Sequence, residues 1–424
     1  RSHCPVCRRS CFGLPFNDCT RRSLAGAPDH LWATLTAVIS HSHLELTMSL
    51  QAHIALTQLR GLTQAQCVEL LRRVDEPQCL FDDTVAVLDA IDELAPAARP
   101  RLQRLFAEHG DEALRRAADE LDFCHRHSIR PLALGTAGYP HRLAQCPDAP
   151  AVLYYRGTAD LDARHVVAVV GTRRITPYGK MHCERFCAEL AAALPDALVV
   201  SGLAYGVDIH AHRAALDHHL DTVGVLAHGL DSIYPPMHRE TARQMLTHGG
   251  LLTEYMAGVR PFAGNFVRRN RIVAGLADVT LVVESAEKGG ALITAHLAAD
   301  YNRTVCAFPG RTDDEFSRGC LHLIRDRRAE LITDAADLMG LMNWEMKTAM
   351  PTVQLELFDG DSPEQSSLIR ALRAAGSEGE TAERLCIITN LPLSQVNATL
   401  FDLQMSSIVT LLAGGRYRLR IKPR

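Results

Sequence analysis

The segment HVVAVVGTRR, residues 165–174, decides the fold of this chain. Five consecutive apolar residues are typical of a strand that is buried on both faces of a parallel sheet. Gly171 then allows a tight turn, and the two arginines that follow can bind phosphate. In open α/β sheets, ligands bind just beyond the carboxyl ends of the strands. The segment therefore predicts a central parallel strand that leads into an anion-binding loop.

The alternation of apolar strands with helical segments continues to Gly310. Such alternation indicates a doubly wound parallel sheet with helices between its strands. The predicted strands cover residues 165–170, 197–201, 222–226, 250–253, 279–284 and 304–308. The predicted helices cover residues 180–193, 208–218, 238–248, 266–274 and 292–301.

The sequence as a whole divides into five regions. Residues before Met48 lack sustained periodicity, which favours an unstructured or non-native extension. The C-terminal residues show three helices and a hairpin, the pattern of a winged-helix domain. The regions are an extension over 1–47, a helical domain over 48–130, an α/β domain over 131–340, a linker over 341–365 and a winged helix over 366–424.

Two of these regions leave their role open. LRGL, residues 59–62, could form a helix-hairpin-helix turn that binds DNA phosphate through its amides, but a plain packing unit of two helices is favoured. Ser394 and Gln395 begin the predicted recognition helix of the winged helix. That helix carries few cations, so contact with a protein and contact with DNA are equally favoured by the sequence.

Composition limits the possible classes of protein. The 424 residues carry a net charge of −4 and 47% apolar residues, which is ordinary for a globular protein. No apolar run approaches the ~18 residues of a membrane span, so membrane insertion is not expected. The charge argues against a uniformly basic surface and leaves room for a local basic groove. With two tryptophans, any stacking on bases would use Phe or Tyr.

The 13 cysteines fall into two groups. From Cys67 onward they lie mostly in helical or strand patterns, as reduced thiols of a cytosolic protein do. The other four are Cys4, Cys7, Cys11 and Cys19. Cys4 and Cys7 have the spacing of a zinc ligand pair, but no second pair follows at a usual distance. An unstructured or non-native extension is therefore favoured over a metal-binding segment for residues 1–47.

FVRRNR, residues 266–271, is the strongest local signal for a binding function. Arginines for phosphates and an aromatic ring for a base are the combination that proteins use on single strands. The alternative is a solvated, charged helix start. That alternative is weakened because the apolar residues 272–274 follow immediately.

Two glycine turns complete the predicted crevice. SGLAYGVD, residues 201–208, turns from a strand into a helix, with Asp208 as the expected N-cap. KGGALITA, residues 288–295, places two glycines before a helix, where backbone amides can hold an anion. Asp208, His210 and His212 have the spacing i, i+2 and i+4, which does not place all three on one helical face. No third ligand is evident, so helix capping and packing are favoured over a metal site.

No nucleophile, metal set or acid/base pair accompanies these loops. A crevice that suits phosphates and lacks such chemistry favours nucleic-acid binding over catalysis. No catalytic residue, metal or cofactor is therefore expected.

With these motifs in place, the chain resembles the DNA processing protein A family, also called DprA or Smf. The resemblance covers roughly residues 50–338 and, more loosely, the C-terminal domain. Six motifs occur in order: VGTR at 170–173, SGLAYGVD at 201–208, GLDSIYP at 229–235, RNRIVAGL at 269–276, ALITA at 291–295 and FPG at 308–310.

The resemblance implies a cytoplasmic homodimer with an extended Rossmann-like domain, an N-terminal domain of the SAM or helix-hairpin-helix kind and a winged helix. Members bind single-stranded DNA in a basic pocket, help to load the recombinase RecA and act in natural transformation. By position, Arg173 would be the main phosphate contact, Phe266 would stack a base, and Arg269 and Arg271 would hold the backbone. The predicted single-strand-binding residues are Gly171, Thr172, Arg173, Gly202, Gly206, Phe266, Arg269, Asn270, Arg271, Gly289, Gly290 and Thr294.

The sequence departs from the family at several positions of the pocket. Tyr205 stands where many members have Arg, His238 where Asn is usual, and Gly289 where Ser is usual. Ala263 and Gly264 supply no Lys before the aromatic residue. Several arginines remain, so binding is still expected.

Two rival functions follow from the same sequence. Nucleotide phosphoribohydrolases of the lysine-decarboxylase-like group share a related fold, but the loops at 288–291 and 308–312 lack most of their glycine-rich motif. The other rival is a recombinase-binding adaptor without a DNA site of its own.

Overall fold

The computed structural model describes residues 47–91, 97–344, 363–376, 379–406, 408–412 and 415–419. These residues belong to two compact units, one ending at Lys347 and one starting at Thr348. The predicted extension, with Cys4, Cys7, Cys11 and Cys19, lies outside the described residues, as does most of the predicted linker.

The strands described in the first unit form one sheet. They are β1 (Arg130–Ala133), β2 (Val152–Gly157), β3 (Val166–Val170), β4 (Leu198–Ser201), β5 (Asp221–Val225), β6 (Gly249–Thr253), β7 (Val279–Val282), β8 (Thr304–Ala307) and β9 (Glu330–Leu331). Their order is β1-β2-β6-β5-β4-β3-β7-β8-β9. The pairs β1–β2 and β2–β6 are antiparallel, and the other pairs are parallel.

Helices connect these strands and precede them. They are α1 (47–58), α2 (Gln64–Arg73), α3 (Cys79–Asp82), α4 (Thr84–Asp89), α5 (Ala98–Arg126), α6 (His141–Ala144), α7 (Pro177–Ala193), α8 (Val207–Asp217), α9 (Arg239–Met245), α10 (Ala263–Leu276), α11 (Gly290–Asp300), α12 (Arg318–Arg325) and α13 (Ala335–Leu341). A 3₁₀ turn, Pro236–His238, precedes α9.

The side chains of β3 alternate between two hydrophobic cores because successive strand residues point to opposite faces of a sheet. Val166, Ala168 and Val170 belong to a core that includes residues of α10 and α11. Val167 and Val169 belong to a core that includes residues of α7 and α8. Helices therefore cover both faces of the sheet. The prediction of a mixed α/β fold around a large, mostly parallel sheet is confirmed.

The strand order reverses at β3. This strand pairs with β4 on one side and with β7 on the other, so that Ala168 lies opposite both Val200 and Thr280. The chain proceeds from β3 outward to β6 and then returns to β7 beside β3. Loops leave the carboxyl ends of β3 and β7 in opposite directions at such a point, which opens a crevice between them.

Each strand predicted from the sequence is present within two residues of its predicted ends. The antiparallel strands β1 and β2 were not predicted. Tyr154 of β2 shares a hydrophobic core with Ile54 and Leu56 of α1, so the N-terminal helices pack on this edge of the sheet. None of the helices in the described ranges is both long and apolar enough to cross a membrane.

The second unit is built from three helices and three short strands within its described residues. They are α14 (Pro363–Ala375), β10 (Glu380–Thr381), α15 (Ala382–Thr389), α16 (Leu393–Met405), β11 (Val409–Leu412) and β12 (Arg416–Leu419). The strands lie in the order β10-β12-β11 and pair antiparallel. Leu368, Leu385 and Leu400 bring the three helices into one core.

The buried imidazole of His212 on α8 makes the first unit sensitive to acid. Its Nδ1 lies 2.7 Å from the Thr222 hydroxyl oxygen, and the residue has no exposed surface. Burial, with Arg269 and His238 nearby, lowers the pKa of His212 to about 3. The unfolded chain takes up a proton as the pH falls below about 6.5, and the folded chain does not.

We predict that His212→Asn reduces the pH dependence of stability. Wild-type stability should fall as the pH decreases from 7 to 5, and the variant should lose about 2 kcal/mol less over that interval. Urea denaturation at both pH values, followed by circular dichroism, measures the difference. His248→Asn, at an exposed histidine, is the control and should keep the wild-type slope. Equal slopes for wild type and His212→Asn would contradict the assignment.

Candidate functional site

The loops that follow β3, β4 and β7 meet at the carboxyl edge of the sheet. The amide of Thr172 donates to the carbonyl of Glu284 at 2.7 Å, which joins the β3 and β7 loops. The amide of Val207 donates to the carbonyl of Thr172 at 3.0 Å, which joins the β3 loop to the start of α8. The backbone itself therefore holds the predicted loops together.

Glycines allow this close approach. Gly206 has φ 77°, and a Cβ built on it would lie 2.1 Å from the carbonyl oxygen of Thr172. A Cβ on Gly171 would lie 2.3 Å from the side chain of Val207. A Cβ on Gly202 would lie 2.2 Å from the guanidinium group of Arg269. Three of the predicted site glycines thus permit contacts between loops.

The carboxylate of Glu284 braces the β3 loop from behind. Glu284 is buried and accepts hydrogen bonds from the amide of Thr176, at 2.9 Å, and from the Thr176 hydroxyl. The same hydroxyl oxygen accepts from the amide of Gly179 and so caps α7. This contact was not predicted, because Thr176 and Glu284 lie 108 residues apart and nothing in the local sequence indicates that they meet.

Asp208 braces the β4 loop and is not the N-cap of α8. The N-cap is Gly206, and Asp208 lies in the first turn. Its carboxylate accepts from the amides of Gly202 at 3.2 Å and Ala204 at 3.3 Å. The predicted cap was wrong by two residues because the positive φ of Gly206 starts the helix earlier. Burial raises the pKa of Asp208, although Arg269 and the loop amides oppose the shift.

Arg269 lies beneath the crevice rather than in it. It is 3% exposed, and its guanidinium donates to the carbonyl of Gly202 at 2.6 Å and to the carbonyl of Val225. Burial lowers the pKa of this guanidinium, and Asp208 raises it. The side chain therefore ties α10 to the ends of β4 and β5. This differs from the direct backbone contact with DNA expected from the sequence.

Arg271 is also directed into the protein. It forms an ion pair with Glu254, and the two side chains are 7% and 9% exposed. Its other nitrogen donates to the carbonyl of Asp148 at 2.5 Å. Arg268, the neighbouring cation of α10, is exposed.

Arg173 is an exposed cation at the crevice. Its guanidinium carbon lies 5.5 Å from the centre of the Phe266 ring. The centre of the Tyr234 ring lies 5.8 Å from the centre of the Phe266 ring. Phe266 is half-buried, and both Arg173 and Tyr234 are exposed. A cation and two aromatic rings are thus available to a ligand at one place.

The next residue in the loop, Arg174, makes a second contact of the same kind. Its guanidinium carbon lies 5.2 Å from the centre of the Phe316 ring, in the loop that precedes α12. Neither Phe316 nor Tyr234 was predicted to be a site residue. Tyr234 lies in a motif quoted for the resemblance, whereas Phe316 had no signal in the local sequence.

The start of α11 supplies the last predicted residues. Gly289 is its N-cap, and Gly290 has open space at the position of a Cβ. Asn270 donates to the carbonyl of Gly290 at 3.5 Å, so α10 lies beside this helix start. Thr294 is buried, and its hydroxyl bonds back to the carbonyl of Gly290. The Thr294 side chain is therefore buried and is not available at the surface of the crevice.

The crevice offers exposed anchoring groups, and the buried carboxylates of Glu284 and Asp208 are held by backbone amides of the loops. No group of three or more His, Cys, Asp or Glu side chains there, or elsewhere in the described ranges, could hold a metal ion. A cavity of about 420 Å³ lies at the opposite edge of the sheet, with Arg164 and Asp221 in its lining. The arrangement suits a ligand that lies across an open surface.

Comparisons with known proteins agree with this geometry. Residues 131–343 match the family described as DNA recombination-mediator protein A. The putative DNA processing protein DprA of Mycobacterium tuberculosis is 34% identical over 378 residues, which cover 82% of this chain and 92% of that protein. The DNA processing protein DprA of Streptococcus pneumoniae is 38% identical over 202 residues, or 48% of this chain and 70% of that protein. The X-ray structure of DprA from Streptococcus pneumoniae aligns with a TM-score of 0.58 at 29% identity, covering 68% of this chain and 97% of that one.

The contact between the β3 and β4 loops yields a stability prediction. Gly206→Ala should destabilise the first unit by at least about 2 kcal/mol more than Gly135→Ala. Both glycines have positive φ, at 77° and 85°, but a Cβ on Gly135 would meet nothing within 4 Å. Because φ is alike at the two positions, the difference reports mainly the clash with Thr172, with a contribution from the ψ of −126° at Gly206. Urea denaturation of both variants measures it, and equal losses would show that the loops separate without penalty.

Proposed function

The chain belongs to the DNA recombination-mediator protein A family, and from this premise we propose that it binds single-stranded DNA at the carboxyl ends of β3, β4 and β7. The observation that carries the proposal is Arg173 beside the half-buried ring of Phe266. A guanidinium group binds phosphate in a bidentate manner, and an aromatic ring stacks on a base. A base can stack on a protein ring only when its own strand leaves it exposed, which favours single strands.

The proposed roles divide the site into a surface layer and a supporting layer. Arg173 contacts phosphate and Phe266 stacks a base, while Gly171 and Thr172 let the strand approach the β3 loop. Gly202 and Gly206 lie beneath the strand. The supporting residues are Arg269 and Arg271, whose buried positions favour an indirect role, with Asn270, Gly289, Gly290 and Thr294 at the junction of α10 and α11.

The resemblance extends the proposal to partners. We propose that the protein acts without catalysis in recombination and DNA uptake, as a cytoplasmic homodimer that delivers coated strands to a RecA recombinase. The helices over 48–130 would form a SAM or helix-hairpin-helix-like domain. The second unit, with three helices and the β11–β12 hairpin, would be a winged helix. Its predicted recognition helix, α16, carries no Lys or Arg, which favours a protein partner.

The rival enzyme function has weaker support. Phosphoribohydrolase chemistry needs an available carboxylate, and the buried carboxylates nearest the crevice are occupied by loop amides. Incubation with nucleoside monophosphates tests this alternative, and release of free base would favour it. A gel shift without recombinase tests the adaptor alternative, because an adaptor alone would leave the strand unshifted.

We predict that Arg173→Ala weakens binding of labelled oligo-dT by about 10- to 100-fold at low salt, as the loss of a charged hydrogen-bonding group implies. Fluorescence anisotropy from 50 to 300 mM salt should also show a slope of log affinity against log salt that is smaller by about 0.7, since one fewer counterion is released.

Arg164→Ala is the matched control. Arg164 is exposed and lies just before β3, at the opposite end of the strand from Arg173. Its removal should change affinity less than about twofold. Equal losses for the two variants would indicate a general charge effect instead of a site at the carboxyl edge. Wild-type affinity that does not depend on salt would contradict phosphate binding altogether.

A further inference from the structure

The pair of Arg174 and Phe316 lies on the other side of the β3 loop from the pair of Arg173 and Phe266. Arg173 and Arg174 are consecutive, and each contacts a different phenylalanine, at 5.5 and 5.2 Å from the ring centres. Phe266 belongs to α10, which packs near β4 and β5, whereas Phe316 belongs to the loop after β8. The two rings therefore flank the crevice.

Phe316 is held in place by its backbone. Its carbonyl accepts from the amide of Ser285 at 2.7 Å, and its amide donates to the Asp314 carboxylate at 3.1 Å. Ser285 also accepts, through its carbonyl, from the amide of Gly319 at 2.8 Å. Because the backbone of Phe316 is already ordered, little backbone freedom is lost there when a ligand binds.

The start of α11 lies between the two rings. On one side, Asn270, one helical turn after Phe266, donates to the carbonyl of Gly290. On the other side, a Cβ on Gly289 would lie 2.7 Å from the hydroxyl of Ser285, the residue that holds Phe316. A strand that runs from Phe266 to Phe316 therefore passes the β3 loop and this helix start.

We infer that Phe316 and Arg174 form a second subsite for a base and its phosphate, so that one DNA strand lies across the crevice with a base on each ring. The inference rests on the proposed function and extends it to a stretch of the surface that the family motifs quoted above do not include. The second subsite, Arg174 over Phe316, has the same two groups as the first, Arg173 over Phe266. Both arginines belong to the β3 loop.

Acidic and basic groups near Phe316 offset each other. Asp313 pairs with Arg311 at 3.2 Å. Asp314 accepts from the Phe316 amide and from the Ser317 hydroxyl. Glu315 and Glu287 are exposed, and so are the cations Arg318 and Lys288 that lie next in the chain to Ser317 and Glu287. The local charge therefore leaves the ring accessible to a strand.

The test is fluorescence anisotropy of the full chain with labelled oligo-dT and with an abasic strand of the same length. Phe316→Leu keeps an apolar side chain and removes the aromatic face, so it should weaken oligo-dT binding by about 5- to 100-fold. Phe316→Tyr should restore it to within about twofold, because its ring still stacks. On the abasic strand, wild type and Phe316→Leu should bind equally, since no base is present to stack.

The control is Phe123→Leu. Phe123 is also half-buried and contacts His127 with ring centres 4.3 Å apart, but it lies on α5. It should leave oligo-dT binding unchanged. Thermal unfolding of each variant verifies that the fold is kept. If Phe316→Leu unfolds, Arg174→Gln provides an independent test, because it should weaken binding of both oligo-dT and the abasic strand.

The outcomes separate this inference from the proposed function. If wild type binds no single strand, both fail. If Phe266→Leu weakens binding and folded Phe316→Leu does not, only the second subsite is wrong. Equal weakening on oligo-dT and on the abasic strand would also overturn it, because a stacking role cannot affect a strand without bases.

Discussion

The contact between the β3 loop and the start of α8 is the constraint on which the site depends. Thr172 accepts the amide of Val207, and the space between the two segments is too small for any side chain on Gly206. Once these backbones are joined, the directions of Arg173 and Arg174 are fixed by the strand that precedes them. Glu284 then fixes the other end of the loop through Thr176. The position of the exposed cations is therefore set by buried groups and not by the cations' own contacts.

The buried arginines have a different physical role from the exposed ones. Removing a guanidinium from water costs several kcal/mol unless hydrogen bonds and an opposite charge compensate. Arg269 has two carbonyl acceptors and Asp208 nearby, and Arg271 has Glu254 and a carbonyl. These groups join α10 to the ends of β4, β5 and β6. The basic motif thus contributes mainly to the shape of the crevice, and Arg268 is its exposed cation.

The positions of the strands follow from local sequence, because apolar runs, glycine turns and helix periodicity act over a few residues. The inward direction of Arg269 and Arg271 could not be predicted in this way. Their partners Gly202, Val225, Glu254 and Asp148 lie between 17 and 123 residues away in the chain. Phe316 was missed for the same reason, since only the folded chain brings it to Arg174. Charge and spacing identify a binding motif, but burial decides which of its residues reach the ligand.

The two cation–ring contacts have consequences for how a strand would bind. A guanidinium group over an exposed ring contributes about 0.5–1 kcal/mol, whereas a base stacked on an aromatic residue contributes about 1–3 kcal/mol. A base can therefore displace the guanidinium from the ring face with a net gain. The displaced guanidinium stays within reach of the phosphate attached to that base, where a charged hydrogen bond replaces the contact it has lost. In the free protein the guanidinium groups of Arg173 and Arg174 lie over Phe266 and Phe316. We propose that the same side chains become phosphate ligands when a strand binds.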